Sequence, residues 1–96
     1  MASIPEVDAP NVPAGWLPLL ERMMSEIRGL NHPPTGVHAK EKFGKLRIYL
    51  FGEDGDARQI AKAATEASAS ICQCCGASGR FRNKEGIVAT LCDDHA

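Results

Sequence analysis

The chain has 96 residues, the size of one small domain, and a formal net charge of −1. This charge gives no global attraction to nucleic acid or to an anionic membrane. Hydrophobic residues make up 44%, too many for a wholly disordered chain. No apolar run approaches the roughly 20 residues of a membrane span. Residues 1–15 lack the basic and apolar regions of a secretory signal, so we expect a cytoplasmic protein with reduced thiols.

The first two predicted elements are an arm and a helix. Residues 1–14 contain three prolines and no periodicity, which predicts a flexible arm ahead of a single domain over 15–96. Residues 16–30 predict an amphipathic helix, with Pro18 in its first turn and Gly29 at its end. Its core-facing residues recur at three- and four-residue steps: Trp16, Leu20, Met23, Ile27 and Leu30.

Residues 36–52 predict a β-hairpin that turns near Phe43-Gly44. The second strand alternates clearly, because Leu46, Ile48 and Leu50 share one face. The other face carries Arg47, Tyr49 and Phe51. The first strand has a weaker alternation.

A second helix is predicted over about residues 57–70, after the acidic turn at 52–56. Asp56 is expected to be its N-cap, with Gln59 completing a capping box. A thin apolar stripe is expected on this alanine-rich helix: Ile60, Ala63 or Ala64, Ala67 and Ile71. Small side chains there would let the helix lie close to a sheet.

The module over residues 72–96 carries two chelating pairs, Cys72 with Cys75 and Cys92 with His95. Each pair is separated by two residues, so both of its side chains can reach one ion. Three thiolates and an imidazole suit one tetrahedral Zn²⁺. Gly76 permits the positive-φ turn of a zinc knuckle. Disulfides are the weaker interpretation, because pairing within the Cys-Gln-Cys-Cys run is geometrically poor.

The segment between the pairs predicts a hairpin that turns at residues 83–86. In a treble-clef-like zinc finger, a zinc knuckle is followed by a hairpin and then by a second ligand pair at the start of a helix, and this chain has the same order. The sequence after Cys92 leaves room for one helical turn, so a zinc-ribbon-like arrangement stays open. The expected fold class is α+β: N-terminal helix, central hairpin, second helix and zinc hairpin. Cys74 is expected to be a free thiol.

The sequence predicts no enzyme and no small-molecule substrate. Four protein ligands would close the metal site, whereas catalytic zinc keeps an open position. Residues 76–91 lack the histidine that the nuclease finger of this architecture needs. Neither His32 nor His38 has a Ser, Cys or carboxylate partner that the sequence can place beside it. Asp93 and Asp94 are interpreted as capping and solubilising groups.

Four stretches together resemble a group of small bacterial and prophage proteins of uncharacterised function. They are GWLPLLER at 15–22, KEKFGKLRIY at 40–49, TEASASICQCCGASGRFR at 65–82 and TLCDDHA at 90–96. The resemblance implies the same four zinc ligands. Members usually carry Gly-Trp in the hairpin where this chain has Gly86-Ile87.

Two functional hypotheses follow. The first is a module that docks on a bacterial protein as an inhibitor, adaptor or immunity-like factor. Its expected contact surface lies on the central hairpin: Lys40, Lys42, Lys45, Arg47 and Tyr49. The alternative is a nucleic-acid-binding regulator, in which Arg80, Arg82 and Lys84 alternate along one strand beside Phe81 and follow a phosphate backbone.

Overall fold

The computed structural model describes residues 7–9, 11–52 and 55–96, and confirms the predicted α+β class. The elements in chain order are β1 (Val7–Asp8), a 3-10 turn (Ala14–Trp16), α1 (Leu17–Arg28), β2 (Gly36–Lys42), β3 (Lys45–Phe51), α2 (Gly55–Ser68), β4 (Arg80–Lys84), β5 (Ile87–Leu91) and a second 3-10 turn (Asp93–His95). One sheet has the order β1-β2-β3, and the other is the hairpin β4-β5. No helix in the described ranges has the length and apolar character needed to span a bilayer.

Helix α1 begins directly after the first 3-10 turn, with Pro18 in its first turn, where a missing N–H costs nothing. It ends at Gly29, as predicted. Leu30 lies beyond the helix and is half-buried, so the predicted stripe is one residue too long. Together with the preceding indole, the helix supplies the bulk of the core: Trp16, Leu19, Leu20, Met23, Met24 and Ile27.

The central hairpin β2-β3 turns at Phe43 and Gly44, as predicted. Both residues have positive φ, 54° and 80°, as a two-residue type I′ turn requires. The Glu41 carboxylate accepts the Gly44 N–H at 2.7 Å and so steadies the turn. The inner face packs on the helices and consists of Val37, Ala39, Leu46, Ile48 and Leu50.

Helix α2 begins at Gly55, so Asp56 lies within its first turn and the prediction of Asp56 as the N-cap is wrong. The acidic residues Glu53 and Asp54 lie outside the described residues. The predicted stripe is confirmed: Ala64, rather than Ala63, is buried, and Ile60, Ala67 and Ile71 pack against the core. The buried row consists of small residues that let α2 approach β3 closely: Ala57, Ala61, Ala64 and Ser68.

Strand β1 belongs to the segment that the sequence predicts as a flexible arm. Val7 pairs in parallel with Val37, and Asp8 pairs with His38. Val7 also packs against the core. The prediction for residues 1–6 and 10 lies outside the described residues.

Two hydrogen bonds fix the cysteine-bearing module to the start of α1. The Trp16 indole N–H donates to the Ile71 carbonyl at 2.9 Å, and the Gly15 N–H donates to the Gln73 carbonyl at 2.9 Å. Gly15 is required there, because a Cβ would lie 2.1 Å from the Cys72 carbonyl oxygen. The metal module therefore rests on the same turn that starts the core helix.

Candidate metal centre

The four predicted ligands, Cys72, Cys75, Cys92 and His95, converge on one point. Their ligand atoms all lie within 4.8 Å of one another. The Cys75 and Cys92 sulfurs are 3.7 Å apart, and the Cys72 sulfur lies 3.8 Å from His95 Nδ1. A tetrahedron with zinc–sulfur bonds has edges of about 3.8 Å. The four residues are therefore positioned to bind one metal ion.

The first ligand pair lies on a tight knuckle. Gly76 has φ of 84°, as predicted, and its N–H donates to the Cys72 carbonyl at 2.8 Å. The Cys72 N–H donates in turn to the Ala77 carbonyl at 2.7 Å. These bonds bring the Cys72 and Cys75 side chains to the same side of the turn.

The second ligand pair lies on the 3-10 turn after β5. The His95 N–H donates to the Cys92 carbonyl at 3.1 Å, which closes the single helical turn expected from the sequence. His95 Nδ1 then lies 3.1 Å from the Cys92 sulfur. The turn thus presents both side chains to the knuckle.

Backbone N–H groups lower the pKa of one of the ligand thiols, that of Cys72. Burial raises the pKa of Cys72, but N–H groups of Cys92, Cys75 and Cys74 donate to its sulfur and lower that pKa to about 6. The Ala77 N–H likewise favours the Cys75 thiolate, yet burial and the neighbouring Cys92 and Cys72 sulfurs outweigh it, so the pKa of Cys75 is raised. The Cys72 thiolate therefore forms more easily than that of Cys75.

Cys74 lies outside the converging group and is exposed. Partial shielding of its sulfur from water, followed by the charge on Cys72, raises its pKa. A raised pKa favours the protonated thiol at neutral pH.

The basic residues of the zinc hairpin are partly engaged within the protein. Arg80, Arg82 and Lys84 share one face of β4, whereas Phe81 lies on the opposite face, beside Gly44. The Arg82 guanidinium donates to the Leu91 carbonyl at 3.1 Å and to the Asp93 carboxylate at 2.7 Å.

Asp93 is an ion-pair partner rather than the capping group predicted from the sequence. Its hydrogen bond with Arg82, followed by the charges of Arg80 and Arg82, lowers the pKa of this carboxyl. The nearest Arg80 nitrogen is 3.6 Å away. Arg82 and Asp93 meet only through the β4-β5 register, which no local sequence signal revealed.

The predicted contact residues of the central hairpin share the exposed side of the sheet. We call this surface, made of Lys40, Lys42, Lys45, Arg47 and Tyr49, the outer face. Lys40 lies directly opposite Arg47, and Lys42 directly opposite Lys45. The Lys40 ammonium lies 5.5 Å from the centre of the Tyr49 ring. None of the four cations has an ion-pair partner among the described residues.

His38, at the border of the outer face, does have a carboxylate partner, contrary to the sequence prediction. Its Nδ1 lies 3.0 Å from an Asp8 carboxylate oxygen. The partner comes from β1, which was expected to be part of a flexible arm, so the sequence could not place it. The contact joins β1 to β2 and includes no nucleophile.

Comparisons with protein-family models, with curated proteins and with solved structures found no match to this chain. The function therefore has to be inferred from the converging ligands and from the charge and exposure of the described surface.

Proposed function

We propose that this chain is a non-enzymatic zinc-binding protein that docks on an acidic surface of one bacterial protein through its outer face. An inhibitor, adaptor or immunity-like factor of phage-related origin would act in this way. The metal centre stabilises the fold, while contact with the partner falls to the central sheet.

The paired cations of the outer face are the observation that carries this proposal. Like charges placed directly opposite each other on adjacent strands destabilise a sheet. Lys40 opposite Arg47 and Lys42 opposite Lys45 repeat that arrangement at neighbouring positions of one face, with no ion-pair partner for these cations among the described residues. An acidic partner would neutralise both rungs at once. Tyr49, which is 42% exposed, adds an aromatic anchor beside them.

The identity and role of the metal are also part of the proposal. Three thiolates with one imidazole form a soft donor set that favours zinc over hard cations. Four protein ligands close the coordination sphere, which suits a structural ion and leaves no position for substrate. Such thiols stay available to metal in a reducing compartment, so we propose that the protein works in the cytoplasm.

The alternative, nucleic-acid binding through the zinc hairpin, has less support. Arg82 and Arg80 face the Asp93 carboxylate, so a phosphate would have to compete with an existing ion pair. Lys84 alone of the three has no ion-pair partner among the described residues.

Affinity capture with charge-reversal variants tests the docking proposal. The zinc-loaded protein is immobilised, exposed to bacterial lysate, and its retained proteins are quantified by mass spectrometry. We expect one stoichiometric protein partner, with retention weakened by salt because the contact is electrostatic. The Lys40→Glu/Arg47→Glu variant should lose that partner.

The control variant is Lys84→Glu, which also reverses an exposed strand lysine but on the zinc hairpin. It should retain the partner as well as the original chain does. Docking on the outer face is refuted if no protein is retained, or if both variants retain it equally. Salt-dependent DNA binding that only Lys84→Glu weakens would instead support the nucleic-acid alternative.

A further inference from the structure

Strand β3 has a free edge whose hydrogen-bonding groups follow from the hairpin register. A two-residue turn makes Lys42 and Lys45 a hydrogen-bonded pair, and such pairs alternate along an antiparallel ladder. Leu46, Ile48 and Leu50 therefore direct their backbone N–H and C=O groups away from β2. The Leu46 N–H confirms this, because it donates to the Ser68 hydroxyl at 3.0 Å on the far side.

The remaining groups at this edge of β3 belong to Ile48 and Leu50. Within the described residues, the backbone groups of Ile48 and Leu50 that point to this edge make no hydrogen bond outside the ladder. Both side chains are half-buried on the inner face. Two consecutive rungs of an additional strand could therefore form here without disturbing the existing sheet.

A groove runs beside this edge, between β3 and one row of α2. It has a volume of about 600 Å³ and is open to solvent. Its lining on the helix side includes the small residues Ala61 and Thr65. An edge strand next to a helix with an intervening groove is the arrangement that accepts an extended peptide by β-strand addition.

Charge indicates what kind of peptide fits. Lys62, on α2, lines the groove. Arg47 lies on the outer face of β3, next to Ile48 in sequence and opposite Lys40. No acidic side chain of the described residues lines the groove. A strand added to this edge would alternate its side chains between the helix and the outer face, and so would meet a cation on each side.

We propose that the β3 edge binds an extended, acidic segment of the partner protein, which adds a fourth strand next to β3 over the groove. This inference rests on the proposed function and names the form in which the partner binds. Backbone hydrogen bonds to Ile48 and Leu50 supply affinity, and Lys62 and Arg47 select acidic side chains.

The test begins with short random peptides displayed on phage and selected on the zinc-loaded protein. We expect acidic sequences that alternate apolar and polar residues. The amides of Ile48 and Leu50 should exchange rapidly with solvent in the free protein and become protected when a selected peptide binds, as measured by NMR hydrogen exchange.

The matched variants are Leu50→Pro and Leu50→Val. Proline removes the edge N–H and is tolerated at an edge position, whereas valine keeps the N–H. Leu50→Pro should lower peptide affinity by roughly tenfold or more, because the peptide loses one backbone hydrogen bond to the edge of β3. Leu50→Val should bind normally, and Lys62→Glu should weaken acidic peptides.

Three results would overturn the inference. The first is a selected set without acidic enrichment. The second is a bound peptide that leaves the Ile48 and Leu50 amides unprotected. This result is measured on the original chain, so it does not depend on whether the Leu50→Pro variant folds. The third is protection of these amides in the free protein at high concentration, which would mean that a second copy occupies the edge.

The edge inference can also fail while the docking proposal stands. In that case the lysate partner would be retained by Leu50→Pro and lost by Lys40→Glu/Arg47→Glu. Loss of the partner with both variants supports both proposals.

Discussion

The hydroxyl of Thr90 donates to the carbonyl of Gly44 across 46 residues of sequence, at 2.7 Å and in a fully buried position. This bond joins β5 of the zinc hairpin to the turn of the central hairpin. Ala89 packs on the same glycine, whose added Cβ would lie 3.1 Å from the Ala89 Cα. The two sheets thus meet at one turn.

Replacing Thr90 tests how much this junction contributes to stability. Thr90→Val keeps the shape but leaves the Gly44 carbonyl unsatisfied, which should cost about 1–3 kcal/mol of unfolding free energy. Thr90→Ser keeps the hydroxyl and should cost less. Urea unfolding followed by circular dichroism measures both, and equal destabilisation of the two variants would show that the hydrogen bond is unimportant.

The approach of Gly15 to the knuckle predicts a contrast between two glycines. Gly15→Ala should lower the free energy of unfolding by about 1–3 kcal/mol. The added Cβ would clash with the Cys72 carbonyl, so the backbone would have to move. At Gly29 the nearest atom would be 3.5 Å away, so Gly29→Ala should change stability by less than about 1 kcal/mol. Thermal unfolding of both variants decides whether the close approach exists.

The Arg82–Asp93 pair predicts a titration shift. The pKa of Asp93 is lowered below its ordinary 3.8, so the pair stabilises the fold above that pH and the contribution is lost as pH falls. Arg82→Ala should raise the pKa of Asp93, as measured by NMR of the carboxyl carbon. Lys84→Ala is the control on the same strand face, and it should leave the pKa unchanged.

The local pattern of the sequence predicted the elements but not their junctions. Alternation at Leu46, Ile48 and Leu50 and the spacing of the four ligands are short-range signals, and the structure agrees with both. The Gly15–Cys72 approach depends on packing between distant segments, so no local pattern revealed it. The hydrophobic pattern also missed Ser68, which is polar but fully buried. Its hydroxyl accepts a hydrogen bond from the Leu46 N–H, a contact that the sequence pattern does not show.

Protons should compete with the metal in a predictable direction. In the metal-free protein Cys72 has a pKa of about 6, so its thiolate is present above that pH and protonated below it. Bound metal stabilises the thiolates further, so metal should be released as the pH falls, and the midpoint of release should shift lower as free zinc increases. A chromogenic zinc indicator follows release, and a midpoint independent of free zinc would contradict a thiolate-bound ion.

Metal removal tests the central claim that this centre holds the chain together. We expect one zinc per chain by elemental analysis, and loss of both the far-ultraviolet circular dichroism signal and amide protection after chelation. Cys75→Ser and Cys92→Ser should give the same unfolded or aggregated state, whereas Cys74→Ser should keep metal and fold. A metal-free chain that retains the full native spectrum and amide protection would contradict the claim.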